Sequence, residues 1–304
     1  MEEKIMELLG ARSMTSFSNT ALSAKELIEM DLPPQRHLVN GILAVGCNLL
    51  AGKPKTCKSW LALQIAISVA LGRPLFGCIK VERKGVLYLA LEDNKRRLRE
   101  RLSLALPESE VPENLFFEIE YERASSGGLT RIKNFLKSTP GIGLVIVDTL
   151  ARFRDIPKSN KNTYYEDTEA IVGLKKIAEE FQVAILIIHH LRKYDGTEDP
   201  FDNISGTTGL TGATDANMVL ELDKRSRIAT LHIEGKDVEK QEIEMKFDDE
   251  TVSWGLCSPL EKLSPERKQI IEVLRKAREG NKTMSPKEIA GALGQREKRL
   301  GSYL

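Results

Sequence analysis

The sequence has no excess of charge of either sign. Its 304 residues carry 45 Lys+Arg against 44 Asp+Glu, a net of +1, which argues against a uniformly basic coat for nucleic acid and leaves only local basic patches. Long apolar runs are lacking too. The most apolar stretch, Trp60 to Leu71, is about a dozen residues and is interrupted by Gln64 and Ser68, whereas a membrane span needs roughly 20. The opening Met1-Glu2-Glu3-Lys4 is acidic and has no apolar core behind it, so a secretory leader is not expected. Cysteine is sparse and scattered: Cys47, Cys57, Cys78 and Cys257 form no C-x-x-C pair, which disfavours a zinc site or disulfide framework and fits a reducing cytoplasm. What remains is 41% hydrophobic and 29% charged, enough apolar material for a sizeable core and too much for a disordered chain.

The apolar residues are distributed as strands alternating with helices. Short Val/Ile/Leu-rich runs at Asn48–Ala51, Gly85–Leu91, Leu115–Ile119, Gly143–Val147 and Val183–Ile188 are separated by helical patterns at Lys58–Leu71, Lys95–Ala105, Leu129–Leu136 and Tyr164–Phe181. Continuous apolar strands between amphipathic helices predict an α/β fold with a mainly parallel sheet covered on both faces. After about residue 217 four strand-like runs follow with short polar turns and no helices, predicting an antiparallel extension. We expect an N-terminal tail over 1–22, a main domain over 23–258 and a helical segment over 259–304. In that last segment, eleven Lys/Arg face six Glu, and Ser285-Pro-Lys-Glu288 is a capping box. Its end, with Arg296, Lys298 and Arg299, resembles the start of a winged helix that stops before any wing. It is therefore either a shortened DNA-contacting module or a three-helix packing unit.

The chemistry concentrates at strand ends. Gly52-Lys53-Pro54-Lys55-Thr56-Cys57-Lys58-Ser59, followed by Trp60, has the spacing of a phosphate-binding P-loop, with Cys57 where glycine is usual. Backbone N–H groups and a helix N-terminus would cradle phosphates there, Lys58 would meet the β/γ oxygens of ATP, and Ser59 would hold Mg²⁺. A side chain at position 57 crowds such a loop and biases it towards binding over turnover. Asp148 ends an apolar strand and is the second candidate for the Mg²⁺ shell. Glu92 ends another strand and is the candidate base for the attacking water, with Asp93 or Asn94 left to cap the next helix.

Taken together, Tyr88-Leu-Ala-Leu-Glu-Asp93, Val147-Asp-Thr-Leu-Ala-Arg-Phe153, Ile188-His-His-Leu-Arg-Lys193 and Leu210-Thr-Gly-Ala-Thr-Asp215 resemble the RecA-like ATPases. More narrowly, they resemble the RepA-type plasmid helicase and its bacterial and phage AAA-family relatives, over roughly residues 23–255. The resemblance implies a RecA fold, ATP and Mg²⁺, a homo-oligomer that is often a hexameric ring, and action on DNA in replication of a mobile element. It also implies that His189 or His190 senses the γ-phosphate; His189 comes directly off the strand and is the one favoured here. Arg192, Lys193 and Lys236 are candidates for a cation supplied to a neighbouring subunit's site. Two loops could respond to DNA: Ala151–Lys161, with four cations and one acid, suits phosphate contact, and the acid-containing Tyr194–Gly212 suits switching. A nucleotide-dependent scaffold with weak hydrolysis stands as the alternative, and a small-molecule kinase fits less well.

Overall fold

A computed structural model describes residues 22–32, 34–156, 163–191, 199–204, 208–223, 226–257, 265–279 and 283–293. By compactness the chain divides into Met1–Pro34 and Gln35–Leu304. The first unit contains the helix Ala24–Glu29, opened by a capping box in which Ser23 and Glu26 bond reciprocally.

The second unit begins with a small antiparallel pair, β1 (His37–Val39) and β2 (Leu43–Ala44). It then builds one nine-stranded sheet from β3 (Gly46–Gly52), β4 (Gly85–Ala90), β5 (Leu115–Glu118), β6 (Ile142–Asp148), β7 (Ala184–His190), β8 (Ala216–Leu222), β9 (Ile228–Gly235), β10 (Gln241–Asp248) and β11 (Ser253–Leu256). The order across the sheet is β11-β10-β9-β8-β3-β7-β6-β4-β5. Strands β3 to β8 run parallel, and the antiparallel part begins at β9. The run Met218–Leu222 thus closes the parallel part instead of opening the extension. It follows a long connection from β7, which is what a parallel neighbour requires.

Alternation along the strands sorts the buried side chains into two layers. Leu50, Tyr88, Ile146, Leu186 and Ile188 face the helix Lys58–Leu71, whose own Leu61, Ile65 and Val69 complete that core. Leu49, Leu89, Val147, Ile185 and Ile187 face the helices Leu129–Ser138 and Thr163–Phe181 on the other side. Each such fully buried aliphatic side chain contributes about 1.5–3 kcal/mol of burial free energy. The sheet is therefore a rigid platform, and its parallel strands all end at one edge.

The helices Pro265–Glu279 and Pro286–Ala292 follow, the second opened by the expected Ser285–Glu288 capping box. A small cluster of Ile270, Ile289, Ala290, Met284 and Leu293 joins them. The expected boundary at Ser258–Pro259 and the basic residues Arg296, Lys298 and Arg299 lie outside the described residues.

Candidate functional site

Strand β3 ends at Gly52, and the chain turns over residues 53–57 into the helix Lys58–Leu71. The turn needs glycine at its start. A Cβ on Gly52 would stand 2.8 Å from the Leu220 carbonyl oxygen and 3.0 Å from the Lys58 side chain. Thr56 braces the loop by donating its hydroxyl to the Lys53 carbonyl at 2.9 Å. Lys53, Pro54 and Lys55 are exposed, and Trp60 is half-buried beneath the Arg101 guanidinium, 5.3 Å from its ring centre. Lys58 is buried and donates to the carbonyls of Gly52 at 2.8 Å and Lys53 at 2.7 Å. Its burial pulls the ammonium pKa down to about 8, against the opposing pull of Asp148 and Glu92. A desolvated cation held by carbonyl dipoles, with two carboxylates nearby, is poised for an anion.

Cys57 is the residue out of pattern, and its backbone is left-handed, with φ 58° and ψ 28°. This is the region that glycine occupies at no steric cost. The strained conformation that the motif's glycine would fill is present, and a cysteine fills it.

The carboxylates come from strands two and three places away. Asp148 ends β6 on the same face as the helix Lys58–Leu71 and is buried. Its Oδ2 accepts the Tyr88 hydroxyl at 2.8 Å. Burial raises its pKa, with Tyr88 and the adjacent Ser59 hydroxyl pulling the other way. Ser59 and Asp148 therefore present two hard oxygen donors side by side, chemistry that fits a magnesium ion. Tyr88 and Asp148 sit on adjacent strands, and the partnership is invisible in the sequence. The available hint is a tyrosine in a buried strand, whose hydroxyl must find a partner.

Glu92 stands just beyond β4. Its Oε1 accepts the Thr149 hydroxyl at 2.9 Å, and its Oε2 is 3.8 Å from His190 Nε2. Asp93 does not cap the following helix. Asn94 does, accepting from Arg97 N at 2.9 Å, while Asp93 holds Arg101 at 2.6 Å and Arg97 at 3.1 Å. The structure thus separates the two roles the sequence left open between Asp93 and Asn94.

The histidines point to opposite faces. His190 shares the face of Ile188 and Asp148 and approaches Glu92. His189 shares the face of Ile187, is buried, and faces away from Glu92. Of the two, the structure brings His190 and not the expected His189 towards Glu92, because alternation along the strand sends neighbouring side chains to opposite faces.

Other expected residues lie elsewhere. Lys236 follows β9 at the sheet edge remote from the P-loop, where its N–H donates to the Asp215 carbonyl at 2.8 Å, so it cannot serve its own chain's site. Arg192 and Lys193 lie outside the described residues. In the first loop, Arg152 is exposed, but Arg154 is not available to DNA: its Nε pairs with Asp167 at 2.7 Å, and the two side chains are only 15% and 5% exposed. Asp155 accepts from Ser125 N at 3.2 Å, and Lys158 and Lys161 lie outside the described residues. In the second loop, Asp199 caps the short turn Pro200–Asn203, and the helix Thr208–Ala213 closes it. A cleft of about 500 Å³ opens beside Lys53 and Thr56, walled by Leu191, Leu220, Asp223 and Ile228.

A family model described as an AAA domain matches residues 15–196, more than half of the chain. The chain belongs to this AAA domain family. Two solved structures share its fold. One, an "ATPase Domain", matches with a TM-score of 0.58 and 15% identity, over 70% of this chain and 85% of that one. "The Structure Of A DnaB-Like Replicative Helicase And Its Interactions With Primase" matches with a TM-score of 0.60 and 15% identity, over 84% and 71%. Comparison with curated proteins finds no match. This AAA protein is thus a P-loop ATPase with the RecA-like fold, as its motifs anticipate.

Proposed function

We propose that this AAA protein is a DNA-associated motor ATPase that binds ATP with Mg²⁺ at Gly52–Ser59 and hydrolyses it. The observation that carries the reading is the convergence at one edge of the sheet of Lys58 and Ser59 from the P-loop helix with Asp148, Glu92 and His190 from the ends of three different strands. Backbone N–H groups of the loop and the first helical turn hold the β-phosphate, and Lys58 exchanges its carbonyl partners for phosphate oxygens. Ser59 and Asp148 would hold the magnesium ion, which when bound neutralises charge on the β/γ oxygens. Thr149 fixes one oxygen of Glu92, leaving the other to accept the proton of the attacking water. His190, beside that second oxygen, reads whether a γ-phosphate is present. Glu221, Asp223 and Glu244 line the cleft beside Lys53. They would repel phosphates, so the cleft suits the ribose and base.

Copies assemble with the nucleotide between them, and the cation that completes each site comes from a neighbour. Lys236 fits that assignment because its own P-loop is at the far end of the sheet. Arg152 and the rest of its loop contact the DNA backbone. The work is cytoplasmic; among the described residues no helix is long and apolar enough to cross a membrane. Steady-state ATPase with and without single-stranded DNA tests the whole reading, and stimulation is the expected result. One observation favours a second reading. The left-handed Cys57 puts a side chain at a loop position that glycine usually fills, and that backbone strain suits a switch that holds ATP and turns it over slowly. Tight ATP binding with no response to DNA would select it.

A further inference from the structure

Cys57 adopts a backbone conformation that its side chain opposes, and something must hold it there. Its carbonyl accepts two hydrogen bonds. One is the ordinary helical bond from Leu61 N at 3.1 Å. The other comes from outside the helix, from the indole Nε1 of Trp254 at 3.3 Å, 197 positions further along the chain. Trp254 is 2% exposed and lies on β11. Its backbone is clamped to the same helix: its N–H donates to Gln64 Oε1 at 2.8 Å, and Gln64 Nε2 donates to its carbonyl at 2.9 Å. Phe247 packs edge-on against the indole at 5.3 Å between ring centres. The Cys57 side chain packs against the same apolar cluster.

The peptide unit joining Cys57 to Lys58 is planar, so its carbonyl and its N–H point in opposite directions. Holding the Cys57 carbonyl from the helix side therefore aims the Lys58 N–H out of the helix N-terminus, the direction from which a phosphate approaches. A glycine at position 57 would adopt this geometry unaided. We infer that Trp254 is a positioning residue of the nucleotide site, whose indole N–H holds the Cys57–Lys58 peptide in the left-handed conformation that glycine supplies in the usual P-loop. This inference rests on the reading that nucleotide phosphates occupy Gly52–Ser59. It gives the antiparallel extension a part in nucleotide binding: β11 is an edge strand, and displacing it would release the loop.

A double-mutant cycle on the full chain tests this, with Mg²⁺-ADP affinity measured by titration calorimetry. Trp254→Phe should weaken ADP binding about fivefold, the scale of one neutral hydrogen bond. The same change in a Cys57→Gly background should cost less than about twofold, because glycine needs no external hold. Replacing Trp254 with benzothienylalanine keeps the bicyclic shape and lacks only the N–H, so it should reproduce the Trp254→Phe loss even if the smaller ring unfolds the protein. Gln64→Met loosens β11 without touching the indole bond. It should lower the melting temperature and weaken ADP binding by less than Trp254→Phe does, because the indole bond remains. Equal losses in the native and Cys57→Gly backgrounds, or full affinity with benzothienylalanine, would overturn the inference. Lys58→Ala separates this from the site reading: if ADP still binds that variant with unaltered affinity, the site itself is misplaced.

Discussion

The His190 imidazole stands with Nε2 3.8 Å from Glu92 Oε2, while Thr149 holds the other oxygen of the same carboxylate. One oxygen is tied down and the other faces a group that can donate or accept. That asymmetry is what a base for water needs: a fixed orientation and one open lone pair.

Glu92→Gln keeps the shape and the Thr149 contact but removes the base. ATP should still bind, and hydrolysis should fall by about 10²-fold or more. Equilibrium binding and single-turnover hydrolysis on the same preparation check both halves. An unchanged rate would move the base elsewhere.

The two histidines should separate by phenotype. His190→Asn should cut DNA-stimulated turnover by about 10²-fold, the scale of one well-placed polar group in a transition state, and leave ATP affinity nearly intact. His189→Asn should instead lower the melting temperature, since that ring is buried on the opposite face of the sheet. A turnover defect confined to His189→Asn would reverse the assignment.

The depressed pKa of Lys58 predicts pH-dependent ATP binding. Its pKa is depressed to about 8, below the unfolded value of 10.5, because burial disfavours the ammonium. Between these two values the unfolded chain binds more protons, so the nucleotide-free fold gains stability as pH rises through that window. The neutral amine has little to offer a phosphate. ATP affinity should therefore fall as pH rises past about 8, and Lys58→Met should abolish both the affinity and its pH slope. Titration from pH 7 to 9 decides this; a flat profile in the unmodified protein would exclude Lys58 as the phosphate ligand.

The parts legible in the sequence were those written locally. The Lys58–Leu71 helix, the strand ends at Glu92 and Asp148 and the Ser285 capping box each depend on a few neighbouring residues, and each appears where periodicity and spacing put it. What escaped was set by contacts between strands. Tyr88 meets Asp148 because β4 pairs with β6, and Trp254 meets Cys57 because β11 folds back over the P-loop helix. The choice between His189 and His190 turned on which side of β7 faces the P-loop helix, which needs the register of the whole sheet. Arg154 counted as a surface cation until the helix Thr163–Phe181 supplied Asp167 as its buried partner.

That last pair gives a discriminating test of DNA contact. Arg154→Ala leaves the Asp167 carboxylate buried without its cation. It should destabilise the fold by about 3–5 kcal/mol, while DNA affinity, measured at a temperature where the variant is folded, stays the same. Arg152→Ala should do the reverse: no loss of stability, weaker DNA binding, and a salt dependence of the binding constant reduced by roughly one counterion. If both variants bind DNA like the unmodified protein, the segment Leu150–Phe153 and the loop after it are not the DNA contact.

Cys57 decides between motor and switch. Its left-handed backbone carries a strain that glycine lacks, and its thiol packs against the apolar cluster that contains Trp254. Burial also raises the thiol pKa, with Asp249 adding to the effect, so the free protein should alkylate slowly at neutral pH. Cys57→Gly should raise turnover or tighten ATP if the side chain limits the loop's closure. Bound ATP should further protect the native thiol from alkylation, since the nucleotide closes the loop around it. The two measurements answer different questions: protection reports where the thiol sits relative to the nucleotide, and the glycine variant reports whether it costs anything there. Protection without a gain in the glycine variant would mean that Trp254 and the surrounding apolar cluster already hold Cys57 in place. Neither protection nor gain would make it a neutral replacement in a competent P-loop and remove the main argument for the slow switch.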